Sequence, residues 1–102
     1  MNFFEQVYEI VKKIPYGSVM SYGDVAELLG NRKMARQVGW ALHVNPDPEH
    51  IPCYRVVNRF GQVSKAFAFG GCQRQRELLE KEGVSFDENG YVKPCFFVKN
   101  KI

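Results

Sequence analysis

Paired cysteines are missing from this chain. It carries three, Cys53, Cys72 and Cys95, in 102 residues, and no two are spaced as C-x-x-C. An odd count without that spacing indicates neither a disulfide framework nor a zinc knuckle, and it points to a reduced, cytoplasmic setting. His43 and His50 could be grouped with Cys53, but their spacing matches no familiar zinc pattern. No metal and no cofactor are expected. Long apolar runs are also absent, which excludes a membrane-spanning helix. The opening "MNFFEQVYEI" carries an early Glu and polar residues throughout, so no signal peptide is expected. Charge of one sign is scarce: the formal net charge is +3, too small by itself to argue for a polyanionic partner. Repeats, low-complexity stretches and linkers are lacking as well. A single domain over residues 1–102 is expected, as a monomer, with 94–102 a loosely packed tail.

What is present is an ordinary globular composition, 45% hydrophobic and 25% charged. Phe3, Phe4, Val7, Tyr8, Ile10, Val11 and Ile14 follow helical spacing. Asn2 with Glu5 makes a capping box, and Pro15 stops the helix near Lys13. Ser21 and Asp24 open a second helix, which Gly30 ends. A third is expected from Lys33 to Val44, with Asn45-Pro46 as its stop. Two helices across a short glycine-containing turn resemble a helix-turn-helix. Beyond them, "CYRVV" with "QVS", and "VSF" with "YVK", read as two small hairpins. "CQRQRELLEKEG" reads as a last helix. The expected fold is mostly α with small β hairpins, a winged helix-turn-helix-like single domain.

In the third helix Met34, Val38, Ala41 and Leu42 form one apolar stripe, assigned to the core. Lys33, Arg36, Gln37, Trp40 and His43 fall mostly on other faces, and Trp40 is expected to lie partly in the core and partly as a shoulder to the loop that carries Cys53. Ala35 and Gly39 are small and four apart, so another surface can approach the helix backbone closely. That surface is either DNA or a neighbouring helix. Arg36 is either a solvated arginine or a group that bonds phosphates and stacks on bases. In "IPCYRVV", Cys53 is either an ordinary buried thiol or a nucleophile.

"SYGDVAELLG", "ARQVGWAL", "NP", "IPCYRVVN", "GG" and "LLEKEG" occur in that order. On these motifs the chain resembles the DNA-binding, active-site domain of O6-alkylguanine-DNA alkyltransferases and the related alkyltransferase-like proteins, from about Phe4 to Gly83. The resemblance implies a helix-turn-helix that enters the minor groove of double-stranded DNA and flips out an O6-alkylguanine. It implies that Arg36 replaces the extruded base in the stack and that Tyr22 rotates the phosphate and contacts the flipped base. It further implies that Asn45 braces the turn before the active-site strand and that Cys53 accepts the alkyl group, with Arg55 matching the arginine after the active-site pair and Glu82 the glutamate of the family's "EG" pair. Lys33 and Gln37 are added as DNA contacts, with Ala35 and Gly39 allowing close approach. The separate N-terminal domain of full-length transferases is not expected here.

The sequence departs from the family at two places. Family transferases carry "PCHRV", where histidine and glutamate, linked through water, take the proton from the cysteine; this chain has Tyr54. A free thiol has a pKa of about 8.5, and tyrosine, at about 10, is no base at neutral pH. Tyr54 could still relay a hydrogen bond from Cys53 through water to Glu82. Transfer is expected to slow by about 10²-fold, the low end of what general base catalysis supplies. The second departure is Ala68, at a position where transferases often carry a pocket tyrosine; Phe67 and Phe69 flank it. The main expectation is a suicide methyltransferase acting through Cys53, with Tyr22, Asn45, Tyr54 and Glu82 in support. The alternative is a non-enzymatic sensor that flags lesions for nucleotide excision repair proteins.

Overall fold

The computed structural model describes residues 1–63 and 70–98; the expectations for Phe67, Ala68 and Phe69 lie outside that range. Helix α1 spans Phe3–Lys12, and its capping box forms as the sequence predicts: Glu5 N–H donates to Asn2 Oδ1 at 2.8 Å, and Asn2 N–H donates to Glu5 at 3.0 Å. Strand β1, Met20–Ser21, runs straight into α2, Tyr22–Leu28. Ser21 is both the end of the strand and the cap of the helix, its Oγ accepting from Asp24 N–H at 3.0 Å. Gly30, at φ 107°, takes the left-handed conformation that ends α2.

The expected third helix has two parts. Arg32–Met34 is a 3-10 turn, capped by Asn31, which accepts from Lys33 N–H, and α3 proper runs Ala35–His43. Arg32 is drawn away by Asp24 and by Glu27, the latter at 2.9 Å, so the turn is tied back onto α2. The apolar stripe behaves as expected. Val38, Ala41 and Leu42 are buried with Val7, Val11 and Val25 from α1 and α2, and Met34 packs at the edge of this cluster. Trp40 does not share it: it is 66% exposed, because Val38, Ala41 and Leu42 already fill the inward face.

The β structure is small. Strand β2, Val56–Val57, pairs in parallel with β1, Met20 opposite Val56 and Ser21 opposite Val57. The first expected hairpin is therefore only a turn, closed by Asn58 N–H to Gln62 C=O at 3.2 Å. Its strand half is taken by β1, which lies 36 residues upstream in the register given above. The second hairpin forms, with an antiparallel bridge between Phe86 and Val92. Gly61 joins the turn to this hairpin; a Cβ there would lie 2.9 Å from the Val92 backbone, so only glycine fits. Helix α4, Gly71–Lys81, buries Gln75 and Leu79. The tail is not loose as far as it is described. Val19 N–H donates to Phe96 C=O and Val98 N–H donates to Val19 C=O, both at 2.9 Å. Val19, the residue before β1, supplies both partners in a parallel bridge to Phe97, and Phe96 and Phe97 cover a second small core with Leu79 and Val92.

Candidate functional site

Cys53 opens a 3-10 turn, Cys53–Arg55, that leads directly into β2. The turn is held from below by Gln75, whose Nε2 donates to the carbonyls of Tyr54 at 3.1 Å and Val56 at 2.9 Å. It is held from the side by Asn45, which donates to Ile51 C=O at 2.9 Å and accepts from Asp47 N–H at 2.9 Å. Asn45 is buried, and both ends of its amide are used to shape the loop that delivers Cys53.

Tyr54, Arg55 and Glu82 form one cluster. Glu82 sits at the end of α4 with its side chain 4% exposed, and Arg55 is 13% exposed. The carboxylate accepts from Arg55 Nη2 at 2.8 Å and Nε at 3.0 and 3.1 Å, from Tyr54 Oη at 2.5 Å, and from Gly17 N–H at 2.8 Å. Arg55 also donates to Ile14 C=O at 2.9 Å. Burial alone would raise the Glu82 carboxyl, but hydrogen bonds from Arg55, Tyr54 and Gly17 outweigh it and hold the group below its usual range. Tyr54 is pushed up to about 12, by burial first and by its bond to Glu82 second. Cys53 is 5% exposed. Burial pushes its thiol up, and the Asn45 amide with the backbone N–H groups of Cys53 and Tyr54 offsets only part of that.

Chemically, this cluster is a closed ion pair beside a neutral thiol. Of the relay imagined from the sequence, the Tyr54–Glu82 half is a direct hydrogen bond. Tyr54 Oη donates its one hydrogen bond to Glu82 and so has only lone pairs to offer a neighbour.

The remaining candidates lie on the helix-turn-helix. Tyr22 is half-buried at the start of α2, and a Cβ on Gly39 would lie 4.0 Å from its ring, in ordinary contact. The space beside Gly39 is thus shared by the Tyr22 ring. Ala35 is half-buried; Lys33, Arg36 and Gln37 are exposed. Neither Lys33 nor Arg36 has an ion-pair partner among the described residues. His50 is exposed and pairs with Asp47 at 2.9 Å. Sequence reasoning overlooked three residues. Gln75 and the Gly17 amide hold the cluster, and Tyr8, whose Oη donates to Ala41 C=O at 2.7 Å, is pushed up by burial and then by nearby Cys53. Gln75 had a signal, since it stands one turn before the buried Leu79 on the same face of α4.

The family model for the 6-O-methylguanine DNA methyltransferase DNA-binding domain matches residues 2–84. The chain belongs to this family. Alkyltransferase-like protein 1 of Schizosaccharomyces pombe is 46% identical over 84 residues, covering 81% of this chain and 77% of that protein. Its crystal structure with damaged DNA containing O6-carboxymethylguanine superposes with a TM-score of 0.80 at 40% identity, over 96% of this chain and 95% of that one. The DNA base-flipping protein of Escherichia coli K12 is 43% identical over 91 residues, 89% of this chain and 69% of that protein. Family members also include methylated-DNA–protein-cysteine methyltransferases. That of Shigella flexneri is 43% identical over 81 residues, and the match spans 46% of its length against 79% of this chain. The family thus holds members named as transferases and others named for base flipping.

Proposed function

We propose that this protein recognises alkylated guanine in double-stranded DNA by flipping the base toward Cys53, and that it binds the lesion far faster than it removes the alkyl group. The observation that carries this reading is the saturation of Glu82. Its oxygens are occupied by Arg55, Tyr54 and the Gly17 amide, so no carboxylate lone pair is left to draw a proton from the thiol. With Tyr54 neutral up to about 12, no described residue of the Tyr54–Arg55–Glu82 cluster is a base toward the thiol at neutral pH. At 5% exposure, Cys53 also meets a base only when its neighbours give way.

In this reading Arg36 enters the stack in place of the flipped base, recovering some of the few kcal/mol that extrusion costs. Tyr22 bonds the rotated phosphate and the base. Ala35 and Gly39 let the α3 backbone approach the minor groove, and Lys33 and Gln37 contact phosphates, Lys33 adding affinity that weakens with salt. Asn45, Arg55 and Glu82 hold the pocket loop in place. A bound lesion is then handed to nucleotide excision repair proteins.

Retention of Cys53 favours a second reading, stoichiometric transfer. There Cys53 gives up its thiol proton to solvent, the sulfur attacks the alkyl carbon in line, an S–C bond forms as the O6–C bond breaks, and the departing guanine anion takes up one proton from solvent, so that the exchange balances. The test uses duplexes with one O6-methylguanine or one guanine at the same position. Binding followed by anisotropy should show a preference for the lesion that Arg36→Ala abolishes. Intact mass should show no methyl on Cys53 on the time scale of binding. Rapid, quantitative methylation lost in Cys53→Ser would establish the second reading; no lesion preference would overturn both.

A further inference from the structure

Trp40 is the chain's single tryptophan and is 66% exposed. Most large side chains of this kind bury 150–250 Å² or so and find a partner. The other exposed rings here do find one. Tyr16 lies beneath the Arg55 guanidinium and donates to Lys81 C=O, and Phe60 has Arg59 4.6 Å over its ring. Among the described residues, Trp40 has no such ring or cation contact. One turn further on, Val44 is 57% exposed.

Its position on α3 is specific. Residues advance by roughly 100° around a helix, so Trp40 stands about 40° from Arg36 on one side, and Gly39 about 60° on the other. An arginine pushed into a base stack from this helix therefore brings Trp40 against the wall of the same groove. Arg36 on α3 and Lys33 in the turn before it are both exposed and have no ion-pair partner among the described residues, whereas the charge of Arg32 is taken up by Asp24 and Glu27. An aromatic plane beside unpaired cations matches a nucleic acid better than an apolar protein surface.

We propose that Trp40 is a further DNA contact, its indole packing against the deoxyribose and base edges of the groove that Arg36 enters and adding affinity that does not depend on the lesion. This rests on the DNA-binding reading above. The test exploits Trp40 as the sole indole fluorophore. Its emission is recorded during titration with lesion-bearing and undamaged duplexes, while anisotropy of labelled DNA reports binding independently. Emission should change in step with binding for both duplexes. Trp40→Ala should weaken both by about tenfold with the lesion preference kept, in line with stacking losses at single-strand platforms, and Trp40→Phe should recover most of it. Because Trp40 lies outside the core, its variants should melt with the wild type. Unchanged emission at saturation, or wild-type affinity in Trp40→Ala, overturns the inference while the DNA-binding reading stands, and leaves this face to a protein partner. Loss confined to the lesion duplex overturns lesion independence. No binding of either duplex removes the reading itself.

Discussion

Tyr54 occupies a position, beside Cys53 and bonded to Glu82, where a change of side chain would alter the chemistry of the site. A histidine there, still bonded to Glu82, would present a basic nitrogen toward the thiol instead of a phenol held near 12. Tyr54→His is therefore expected to accelerate methyl transfer from O6-methylguanine to Cys53 by about 10²-fold, read in single-turnover reactions by intact mass. An unchanged rate would mean that burial of the thiol, not the lack of a base, limits the reaction. The missing base was legible in the sequence, because Cys53 and Tyr54 are neighbours. The saturation of Glu82 was not, since the Gly17 amide that completes it lies 65 residues away and nothing local in "PYGS" signals it.

Among the elements, α3 carries the clearest conflict between folding and binding. Glycine inside a helix costs about 1 kcal/mol relative to alanine, and the space beside Gly39 is open enough for a methyl to touch the Tyr22 ring without strain. Gly39→Ala should thus raise the melting temperature by several degrees, as about 1 kcal/mol does in a domain of this size. The same methyl stands off any backbone that approaches, so duplex affinity should fall by about tenfold, equivalent to about 1.4 kcal/mol. Thermal melts and anisotropy on one preparation check both; greater stability with undiminished affinity would rule out close approach at this strip. Local signals announced the helices: Asn2, Ser21 and Gly30 mark ends that the structure uses. The partner of β2 was not announced. A two-residue strand has too little alternation to declare a neighbour, and parallel pairing with a distant segment leaves no turn to read. Trp40 was misjudged because hydrophobicity alone does not tell which side of a helix has room for an indole.

For the molecule as a whole, Glu82 is a clamp. It ties the 14–17 segment, the turn after Cys53 and the end of α4 into one unit. Its folded-state pKa is lowered from 4.5. As pH falls, the unfolded chain takes up the proton first, so the clamp's contribution is complete above that value and is lost as pH drops through the folded one. Glu82→Gln leaves the Arg55 charge buried without its partner and should destabilise by about 3 kcal/mol at pH 7. Urea unfolding at pH 7, 4 and 3 should show that gap closing toward acid; a gap independent of pH would mean that the carboxylate's charge contributes nothing. The two-pair ladder between β1 and β2 has a comparable reach. Tyr22 follows one strand and Cys53 precedes the other, so the distance between the Tyr22 ring and the Cys53 sulfur is a matter of alignment between two short runs of backbone. During synthesis neither half of the site means anything until residue 57 has emerged and found residue 21, and a slip of one rung would leave every side chain intact and the site unmade.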